Sequence, residues 1–312
     1  MKIGLDIMGG DYAPKATIQG AAMARSEFPD DVIIVLFGDQ KIIKQELIAI
    51  NENPEGFEIV HTTQKIEMGD HPVRAVSSKP DSSISKGFGM LATEELDAFC
   101  SAGNTGAMLA GAMFSIKPIP GLIRPAIAVA MPQVDGGYAL LLDVGLNPDS
   151  RPDVLYQHGI MGSLYSHYVF QNESPKVALL NIGSEEDKGN LMTKSAYQMM
   201  KGSPDFNFTG NIEGNDIFFN KADVIVCDGF TGNVVLKQAE SFYHLMKKFK
   251  NGNDFFEQFN YENFGGTPIL GVGSPVLIGH GISSPLAIKN MLLQNKKIVE
   301  SGVIRKIKKA FK

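Results

Sequence analysis

The sequence predicts a doubly wound, three-layer α/β/α sandwich built on a mostly parallel sheet. Short apolar runs alternate with stretches of helical spacing along most of the chain. Several of the runs are continuous and β-branched, which is typical of strands covered on both faces. At least seven runs end in a cluster of Gly, Asn, Asp, Ser or Thr, and in a parallel sheet such turns lie along one edge.

Composition indicates a globular protein, since the 312 residues are 44% hydrophobic and 20% charged. A chain of this size can bury a large core, and we expect a single domain over residues 1–312. The first residues lack a signal-peptide pattern, because Asp6 and Asp11 interrupt the apolar run. Cys100 and Cys227 each end an apolar run, so we expect a cytoplasmic location without a disulfide.

Strands are predicted where an apolar run stops at a turn. The run at 32–37 is continuous and rich in β-branched residues. Two runs joined around Asp135-Gly136-Gly137 predict a hairpin, which adds an antiparallel strand to the parallel sheet. The predicted strands are 2–7, 32–37, 57–61, 97–101, 126–131, 138–143, 176–181, 224–227 and 276–278, with a short extended piece near 206–209.

Helices are predicted between these strands, where apolar residues recur at spacings of three and four. Residues 67–81 lack such periodicity and contain one glycine and two prolines, which predicts a surface excursion. Gly302 falls inside a basic terminal helix that begins near Pro285. The predicted helices are 15–28, 41–50, 83–96, 107–114, 154–170, 191–201, 234–249 and 285–312, with a helical excursion near 234–264 in which Asn251-Gly252-Asn253 ends a helix.

The stretch 181–190, Asn-Ile-Gly-Ser-Glu-Glu-Asp-Lys-Gly-Asn, predicts a strand end, a polar turn and a helix start. Such a turn aims backbone N–H groups and the positive end of a helix into one crevice, which suits an anion. Lys188 adds a full positive charge. The alternative is a solvated loop with three acids and one lysine.

Several chemistries lack their usual motifs. The sequence has no Gly-x-Gly-x-x-Gly after the first strand, no P-loop and no Gly-x-Ser-x-Gly elbow. The six histidines are scattered without metal-ligand spacing. We therefore expect no metal, no cofactor and no nucleic-acid partner.

Charge is unevenly distributed along the chain. Residues 289–312 contain eight basic residues against Glu300 alone, a net charge of +7. Because the whole chain carries −5, residues 1–288 carry −12. A basic helix on an acidic body indicates an acidic partner or an anionic membrane surface, and the alternative is a solvated helix face.

Five motifs together carry a family resemblance. They are Asp6-Ile7-Met8-Gly9-Gly10-Asp11, Ser101-Ala102-Gly103-Asn104-Thr105-Gly106, Leu141-Leu142-Asp143-Val144-Gly145, the stretch 181–190 and Asp228-Gly229-Phe230-Thr231-Gly232-Asn233. In order and spacing the chain resembles, nearly end to end, the bacterial phosphate acyltransferases of phospholipid synthesis, the PlsX family. The resemblance implies a homodimer with a fold like that of the isocitrate and isopropylmalate dehydrogenases.

The resemblance also implies an activity. Such a protein makes acyl-phosphate and free carrier from acyl-acyl-carrier-protein and inorganic phosphate, and passes the product to a membrane glycerol-3-phosphate acyltransferase. Three departures stand out: Tyr12 replaces the usual histidine, the basic cluster after Arg74 is absent, and the segment between Asn233 and Gly265 is short. The short segment weakens the expectation of peripheral membrane association by that route.

Roles follow for the motif residues. Lys188 is predicted to bind phosphate and to stabilise the negative charge of the transition state. The Asn233 amide is predicted to form a hydrogen bond with the reacting carbonyl or with phosphate. Further phosphate or substrate contacts are predicted for Gly9, Gly10, Gly103, Asn104, Thr105, Gly106, Gly183, Thr231 and Gly232. Supporting residues are Asp6, Asp143 and Asp228, which hold loops by accepting backbone N–H bonds, and His280, either an acid for the leaving thiolate or a plain turn histidine.

Other functions stay open at this point. A phosphate acyltransferase that uses coenzyme A would share the crevice, and a phosphorylated-hydroxyacid dehydrogenase would share the fold. A non-enzymatic membrane adaptor would depend on the basic tail alone. Cys227 as an acyl-enzyme nucleophile is set against a core cysteine, which we favour because free cysteines are usually buried. The carrier is expected to dock at the basic tail, or otherwise near Arg74 or Lys247.

Overall fold

The computed structural model describes residues 1–249 and 254–312. They fall into two compact units: unit 1 is Met1–Pro118 with Tyr261–Glu300, and unit 2 is Ile119–Asn260 with Ser301–Lys312. The single domain over 1–312 stays a prediction. The predicted helix end at Asn251-Gly252-Asn253 lies outside the described residues.

The strands of the described residues follow the predicted pattern closely. In chain order they are β1 (Lys2–Asp6), β2 (Ile33–Gly38), β3 (Glu58–His61), β4 (Ala98–Ser101), β5 (Ala126–Pro132), β6 (Tyr138–Leu142), β7 (Lys176–Leu180), β8 (Asn207–Ile212), β9 (Val224–Val226), β10 (Thr267–Leu270) and β11 (Val276–Ile278).

Helices separate most of these strands. In chain order they are α1 (Lys15–Arg25), α2 (Gln40–Ala49), α3 (Pro72–Ser78), α4 (Ser83–Ala92), α5 (Thr105–Gly111), α6 (Pro152–Val169), α7 (Leu191–Met200), α8 (Gly229–Phe249), α9 (Asp254–Glu257), α10 (Pro285–Ser301) and α11 (Val303–Ala310). A π-helical turn, Ala112–Ile116, continues α5, and single 3-10 turns lie at Pro54–Gly56, Gly214–Asp216 and Tyr261–Asn263.

Unit 1 contains a mostly parallel sheet of strand order β3-β2-β1-β4-β11-β10. Only the β10–β11 pair is antiparallel. Three phenylalanines stack edge to face in its core, with the Phe99 ring centroid 5.7 Å from that of Phe37 and 5.3 Å from that of Phe88. Each such pair contributes about 0.5–1.5 kcal/mol of stability beyond that from burial of its apolar area. These contacts therefore hold α4 on the sheet.

Unit 2 contains a second mostly parallel set, of order β5-β6-β9-β7-β8. The hairpin predicted around Asp135-Gly136-Gly137 is confirmed, because β5 and β6 pair antiparallel. The apolar runs of β6, β7 and β9 are buried, as expected of strands covered on both faces. Helix α6 packs on β6, β7 and β9, and α11 packs on α6. The predicted α/β fold class with a mostly parallel sheet is therefore confirmed.

Two elements of unit 1 differ from the predictions. Residues 67–81 are not all irregular, since α3 begins at Pro72, a favoured first-turn residue. At seven residues α3 is too short to show a periodicity. The second is β10, where the sequence suggested only a turn. Thr267 and Pro268 pair with Ile278 and Leu277, so tertiary pairing forms this strand against its local propensity.

Helices α1 and α4 end earlier than predicted, at Arg25 and Ala92, and two further boundaries differ more. Helix α8 begins at Gly229 rather than at Val234, because the Asp228 carboxylate accepts the Thr231 N–H over 2.9 Å and caps the first turn. The predicted terminal helix is two helices, since α10 ends at Ser301 and Gly302 takes a left-handed conformation with φ of 64°. The prediction of one continuous helix over 285–312 is therefore wrong.

Within residues 1–249 and 254–312, no helix combines the length and the apolar character that crossing a membrane requires.

The left-handed residue between α10 and α11 gives a testable prediction. A Cβ atom at Gly302 is disfavoured at this φ, so Gly302→Ala should lower the free energy of unfolding by about 1 kcal/mol. Urea denaturation measures this as a lower midpoint at constant m-value. The control is Gly214→Ala, where no atom lies within 4 Å of the added Cβ and φ is ordinary. Equal effects of the two substitutions would contradict the assignment of the helix break.

Candidate functional site

The turns after β1, β4 and β11 meet at one edge of the unit 1 sheet, where these strands are parallel neighbours. The Asp11 N–H donates to Gly281 O over 2.7 Å. A Cβ atom on Gly9 would lie 2.7 Å from Gly103 N, so these two turns are in backbone contact. We call residues 7–11, 102–106 and 279–284 the unit 1 loop cluster. It contains the predicted contacts Gly9, Gly10, Gly103, Asn104, Thr105 and Gly106 and also His280.

Asp6 lies buried at the start of this cluster and holds two turns in place. Its carboxylate accepts the Met8 N–H over 2.9 Å and the Ser101 hydroxyl over 2.6 Å. The Ser101 hydroxyl oxygen in turn accepts the Gly103 N–H over 2.8 Å. Burial raises the pKa of Asp6, and the hydrogen bonds from Ser101 and Met8 offset part of this effect. Asp6 therefore links the turn after β1 to the turn after β4.

The side chain of Asn104 has a structural role. Its Oδ1 accepts the Ala107 N–H over 2.9 Å and caps α5. Its Nδ2 donates to the carbonyls of Glu67, Met68 and Asp70 at 3.0, 3.2 and 3.1 Å. The side-chain amide is thus engaged by the segment 67–70, and any phosphate contact here falls to backbone N–H groups. Those of the first turn of α5 have no partner within the helix.

In unit 2 the loops after β6, β9 and β7 begin at one sheet edge. These strands run parallel with β9 in the middle, and Val226 lies opposite both Leu142 and Leu179. Two strand spacings amount to about 10 Å. We call residues 143–147, 181–190 and 227–233 the unit 2 loop cluster. It contains the predicted contacts Lys188, Asn233, Gly183, Thr231 and Gly232, and the predicted supports Asp143 and Asp228.

Asp143 is the buried centre of this second cluster. One carboxylate oxygen accepts the N–H groups of Ile127 and Leu146 at 3.0 and 3.2 Å. The other accepts the Asn147 N–H at 2.6 Å and the Asn147 side-chain amide at 2.8 Å. Asn147 O then accepts the Gly229 N–H over 2.8 Å. One carboxylate thus holds the loop after β6, and that loop holds the start of α8.

The start of α8 is packed directly against the loop after β6. Asp228 accepts both the Thr231 N–H, at 2.9 Å, and the Thr231 hydroxyl, at 2.8 Å. A Cβ atom on Gly232 would overlap Asp143 O, so only glycine permits this approach. Thr231, Gly232 and Asn233 therefore lie on the first turns of a helix rather than in the turn before it.

Lys188 is exposed on its loop. No carboxylate of the residues that the structure describes lies within ion-pair distance of its Nζ. The neighbouring Glu186 instead pairs with Lys201 over 2.7 Å, and this contact lowers the pKa of Glu186. A Cβ atom on Gly183 would lie 2.7 Å from Lys188 Cγ, so the lysine stem crosses this glycine.

The loop that carries Lys188 is held by two asparagines. The Asn181 amide donates to Lys188 O over 3.2 Å and to Asn211 Oδ1 over 3.1 Å. The Asn211 amide donates to Glu185 O over 2.8 Å. The backbone on either side of Lys188 is therefore fixed, although the side chain itself is exposed.

Asn233 is also exposed, on the second turn of α8. Its side-chain amide donates to Val144 O over 3.4 Å, which is long for a hydrogen bond. A Cβ atom on Gly145 would lie 3.2 Å from Asn233 Nδ2. Because glycine has no side chain, there is space beside the Asn233 amide, and its N–H groups can still donate a hydrogen bond to a ligand.

Cys227 and His280 are the candidates for a nucleophile and for a general acid. Cys227 is a buried free cysteine, as predicted for a core residue. Burial raises the pKa of its thiol, and the carboxylates of Asp228 and Asp143 raise it further, which disfavours a thiolate nucleophile. His280 is exposed, and its Nδ1 accepts the Ile282 N–H over 3.4 Å. A turn histidine makes such a contact, and the acid role stays a prediction.

Sequence reasoning missed three polar residues that hold these loops. Asn147 joins the loop after β6 to α8, Asn211 holds the Lys188 loop, and Ser101 bridges Asp6 to Gly103. The available signal was position, since Ser101 begins one of the motifs and Asn147 lies two residues after another, each within a few residues of a strand end.

In the described parts of the chain, no three His, Cys, Asp or Glu side chains are grouped so that they could hold a metal ion.

Comparisons with known proteins agree over almost the whole chain. The sequence model of the family described as "Fatty acid synthesis protein" matches residues 1–306. A phosphate acyltransferase of Dictyoglomus turgidum is 41% identical, with 98% of this chain and 96% of that protein covered. One of Thermoanaerobacterium thermosaccharolyticum is 40% identical, with 99% and 96% covered. A phosphotransacetylase structure from Streptococcus pyogenes has a TM-score of 0.72 at 16% identity, covering 98% and 94%, and shares the fold.

The contacts of Asn104 give a testable prediction. Asn104→Asp keeps the helix-capping oxygen but turns the three carbonyl-bound N–H contacts into contacts between acceptors. We expect a loss of about 1–3 kcal/mol in the free energy of unfolding, the cost of leaving buried polar groups unpaired. Urea denaturation measures the loss.

The matched control is Asn190→Asp, at the exposed N-cap of α7. Asn190 Oδ1 accepts the Thr193 N–H over 2.9 Å, so aspartate preserves the one contact that matters there. Its effect should stay within about 0.5 kcal/mol. If Asn104→Asp were as mild as this control, the segment 67–70 would not depend on Asn104.

Proposed function

The chain belongs to the fatty acid synthesis protein family, and we infer that it is a phosphate acyltransferase that forms acyl-phosphate from an acyl thioester and inorganic phosphate. We assign acyl-acyl-carrier-protein as the thioester, with the product feeding phosphatidic acid and phospholipid synthesis. The observation that carries the assignment is the unit 2 loop cluster, where an unpaired ammonium and an available amide share one sheet edge.

The chemistry needs an anion site more than a nucleophilic side chain. Phosphate loses its second proton close to neutral pH, so at pH 7 a substantial fraction is a dianion that can attack a carbonyl directly. The protein must hold this dianion against the thioester and stabilise the oxyanion of the tetrahedral intermediate. Lys188 supplies a cation that forms no ion pair with a carboxylate of the described residues. The Asn233 amide supplies a hydrogen-bond donor.

The transfer step then balances without a covalent enzyme intermediate. A phosphate oxygen forms the new bond to the carbonyl carbon, and the C–S bond breaks as the tetrahedral intermediate collapses. The sulfur leaves as a thiolate, since thiols have a pKa of about 8.5, and takes up the proton that the phosphate releases on acylation. The buried Cys227 thiol has no part in this step, because its raised pKa keeps it protonated.

The supporting residues act by fixing this geometry. Asp143 and Asp228 hold the loop after β6 and the first turn of α8, which leads directly into the turn that carries Asn233. Their carboxylate oxygens accept N–H groups of the protein itself, which gives both residues a structural role. The phosphate contacts of Gly9, Gly10, Gly103, Asn104, Thr105, Gly106, Gly183, Thr231 and Gly232 stay predictions, as does the acid role of His280.

The family resemblance supports further proposals about cellular context. The protein acts in the cytoplasm as a homodimer, its partners are an acyl carrier protein and inorganic phosphate, and a membrane glycerol-3-phosphate acyltransferase receives the acyl-phosphate. Peripheral association with the membrane would bring the product close to that acceptor enzyme.

The activity itself is testable by trapping. Supplied with acyl-carrier-protein and phosphate, the protein should form acyl-phosphate, which hydroxylamine converts to a hydroxamate, and omission of either substrate should abolish the product. Acyl-coenzyme A in place of the carrier measures donor preference. Absence of hydroxamate with both donors would refute the assigned function, and a preference for coenzyme A would refute the assigned donor.

The assigned residues are testable by substitution. Lys188→Ala and Asn233→Ala should each lower turnover about a hundredfold or more, the scale of removing one transition-state donor. Circular dichroism should show an unchanged fold, because both side chains are exposed. The matched control is Lys194→Ala, on an exposed lysine of α7, which should retain turnover. A folded Lys188→Ala or Asn233→Ala variant with full turnover would remove that residue from the site.

A further inference from the structure

Helix α11 and the residue pair after it present a row of unpaired cations. We call Arg305, Lys306, Lys308, Lys309 and Lys312 the α11 cations. All are exposed except Lys308, which is half-buried. None of them has a carboxylate within ion-pair distance in the described part of the chain. Lys289 and Lys296 of α10, by contrast, pair with Glu27 and Glu300 at 2.7 Å.

Packing fixes the direction in which this basic face points. Val303, Ile304 and Ile307 are buried, and α11 packs on α6. Lys306 Nζ lies 4.9 Å from the ring centroid of Tyr168, a residue of α6, which is within cation–π range. The apolar stripe of α11 is therefore used within unit 2, and the cations remain on the outer side of a helix that is held in place.

We propose that the α11 cations form the docking surface for an acidic acyl carrier protein. This inference rests on the proposed function, which requires a protein-bound acyl donor. Residues 1–288 carry a net charge of −12, so most of the chain repels an acidic partner. The α11 cations are the concentrated exception, and such a patch steers the approach of an oppositely charged protein.

The packing of α11 favours a protein partner over a lipid bilayer. An amphipathic helix that binds a membrane inserts its apolar face among the lipid chains. Here Ile304 is 8% exposed and Val303 and Ile307 are 0% exposed, because that face already packs within unit 2. The large apolar side chains in the middle of α11 are therefore not available for insertion, whereas an acidic protein can match a fixed array of cations with its carboxylates.

The test compares two triple charge reversals with the same change in net charge. One converts Lys306, Lys308 and Lys309 to glutamate. The control converts three exposed lysines elsewhere, Lys41, Lys44 and Lys221, to glutamate. At low ionic strength we expect the α11 variant to raise the KM for acyl-carrier-protein about tenfold at an unchanged kcat, and the control to stay within about twofold.

Salt dependence provides a second measurement. Screening shortens the reach of charges to about 10 Å at 0.1 M ionic strength. The KM of the unmodified protein for acyl-carrier-protein should therefore rise with salt, and that of the α11 variant should rise much less. If the glutamate variant does not fold, the corresponding Lys→Gln triple variant keeps helix propensity and should show the same effect at a smaller size.

Each alternative outcome has a distinct signature. An unchanged KM in the α11 variant overturns the docking surface but leaves the acyltransferase function standing. An unchanged KM with lost binding to vesicles of phosphatidylglycerol also overturns it, in favour of an anionic lipid surface. If the unmodified protein forms no acyl-phosphate from any thioester, the proposed function itself fails, whatever the KM comparison shows.

Discussion

The geometry of the unit 2 loop cluster depends on one buried carboxylate, that of Asp143. Its two oxygens accept four hydrogen bonds from Ile127, Leu146 and Asn147. These contacts set the path of the loop after β6, and Asn147 passes the constraint on to α8 by accepting the Gly229 N–H. Since a buried carboxylate is costly unless it is hydrogen-bonded, the loops and the carboxylate stabilise each other. Loss of this one group would release the helix turn that carries Asn233.

A neighbouring ion pair engages one of the acids that could otherwise neutralise Lys188. Three acids precede this lysine in its loop, and an acid paired with it would cancel the charge that a phosphate dianion needs. Glu186 is instead engaged by Lys201 and by the Gln198 amide. The exposed setting also suits a substrate that arrives from solvent and leaves again. The two cysteines, by contrast, are buried, and burial raises the pKa of both thiols and keeps them protonated. Neither cysteine therefore takes part in the reaction.

Much of the fold could be predicted because periodicity and turn chemistry are local signals. The strand ends, the hairpin after β5 and the gathering of glycine turns within each unit all follow from them. The boundary of α8 could not be predicted, since Gly229 and Gly232 are poor helix formers and only the contacts of Asp228 and Asn147 make that turn helical. In the site, the motifs indicated which loops matter, but the engagement of the Asn104 amide by the segment 67–70 is a tertiary contact with no local signal.

The central claim is that phosphate attacks the thioester directly, without an acyl-enzyme. The most direct test is an exchange experiment, in which the protein is incubated with acyl-carrier-protein and isotopically labelled free carrier in the absence of phosphate. Direct transfer predicts no labelled acyl-carrier-protein until phosphate is added, because the C–S bond breaks only when a phosphate oxygen attacks. Rapid exchange without phosphate would reveal an acyl group held on the protein and would contradict the account.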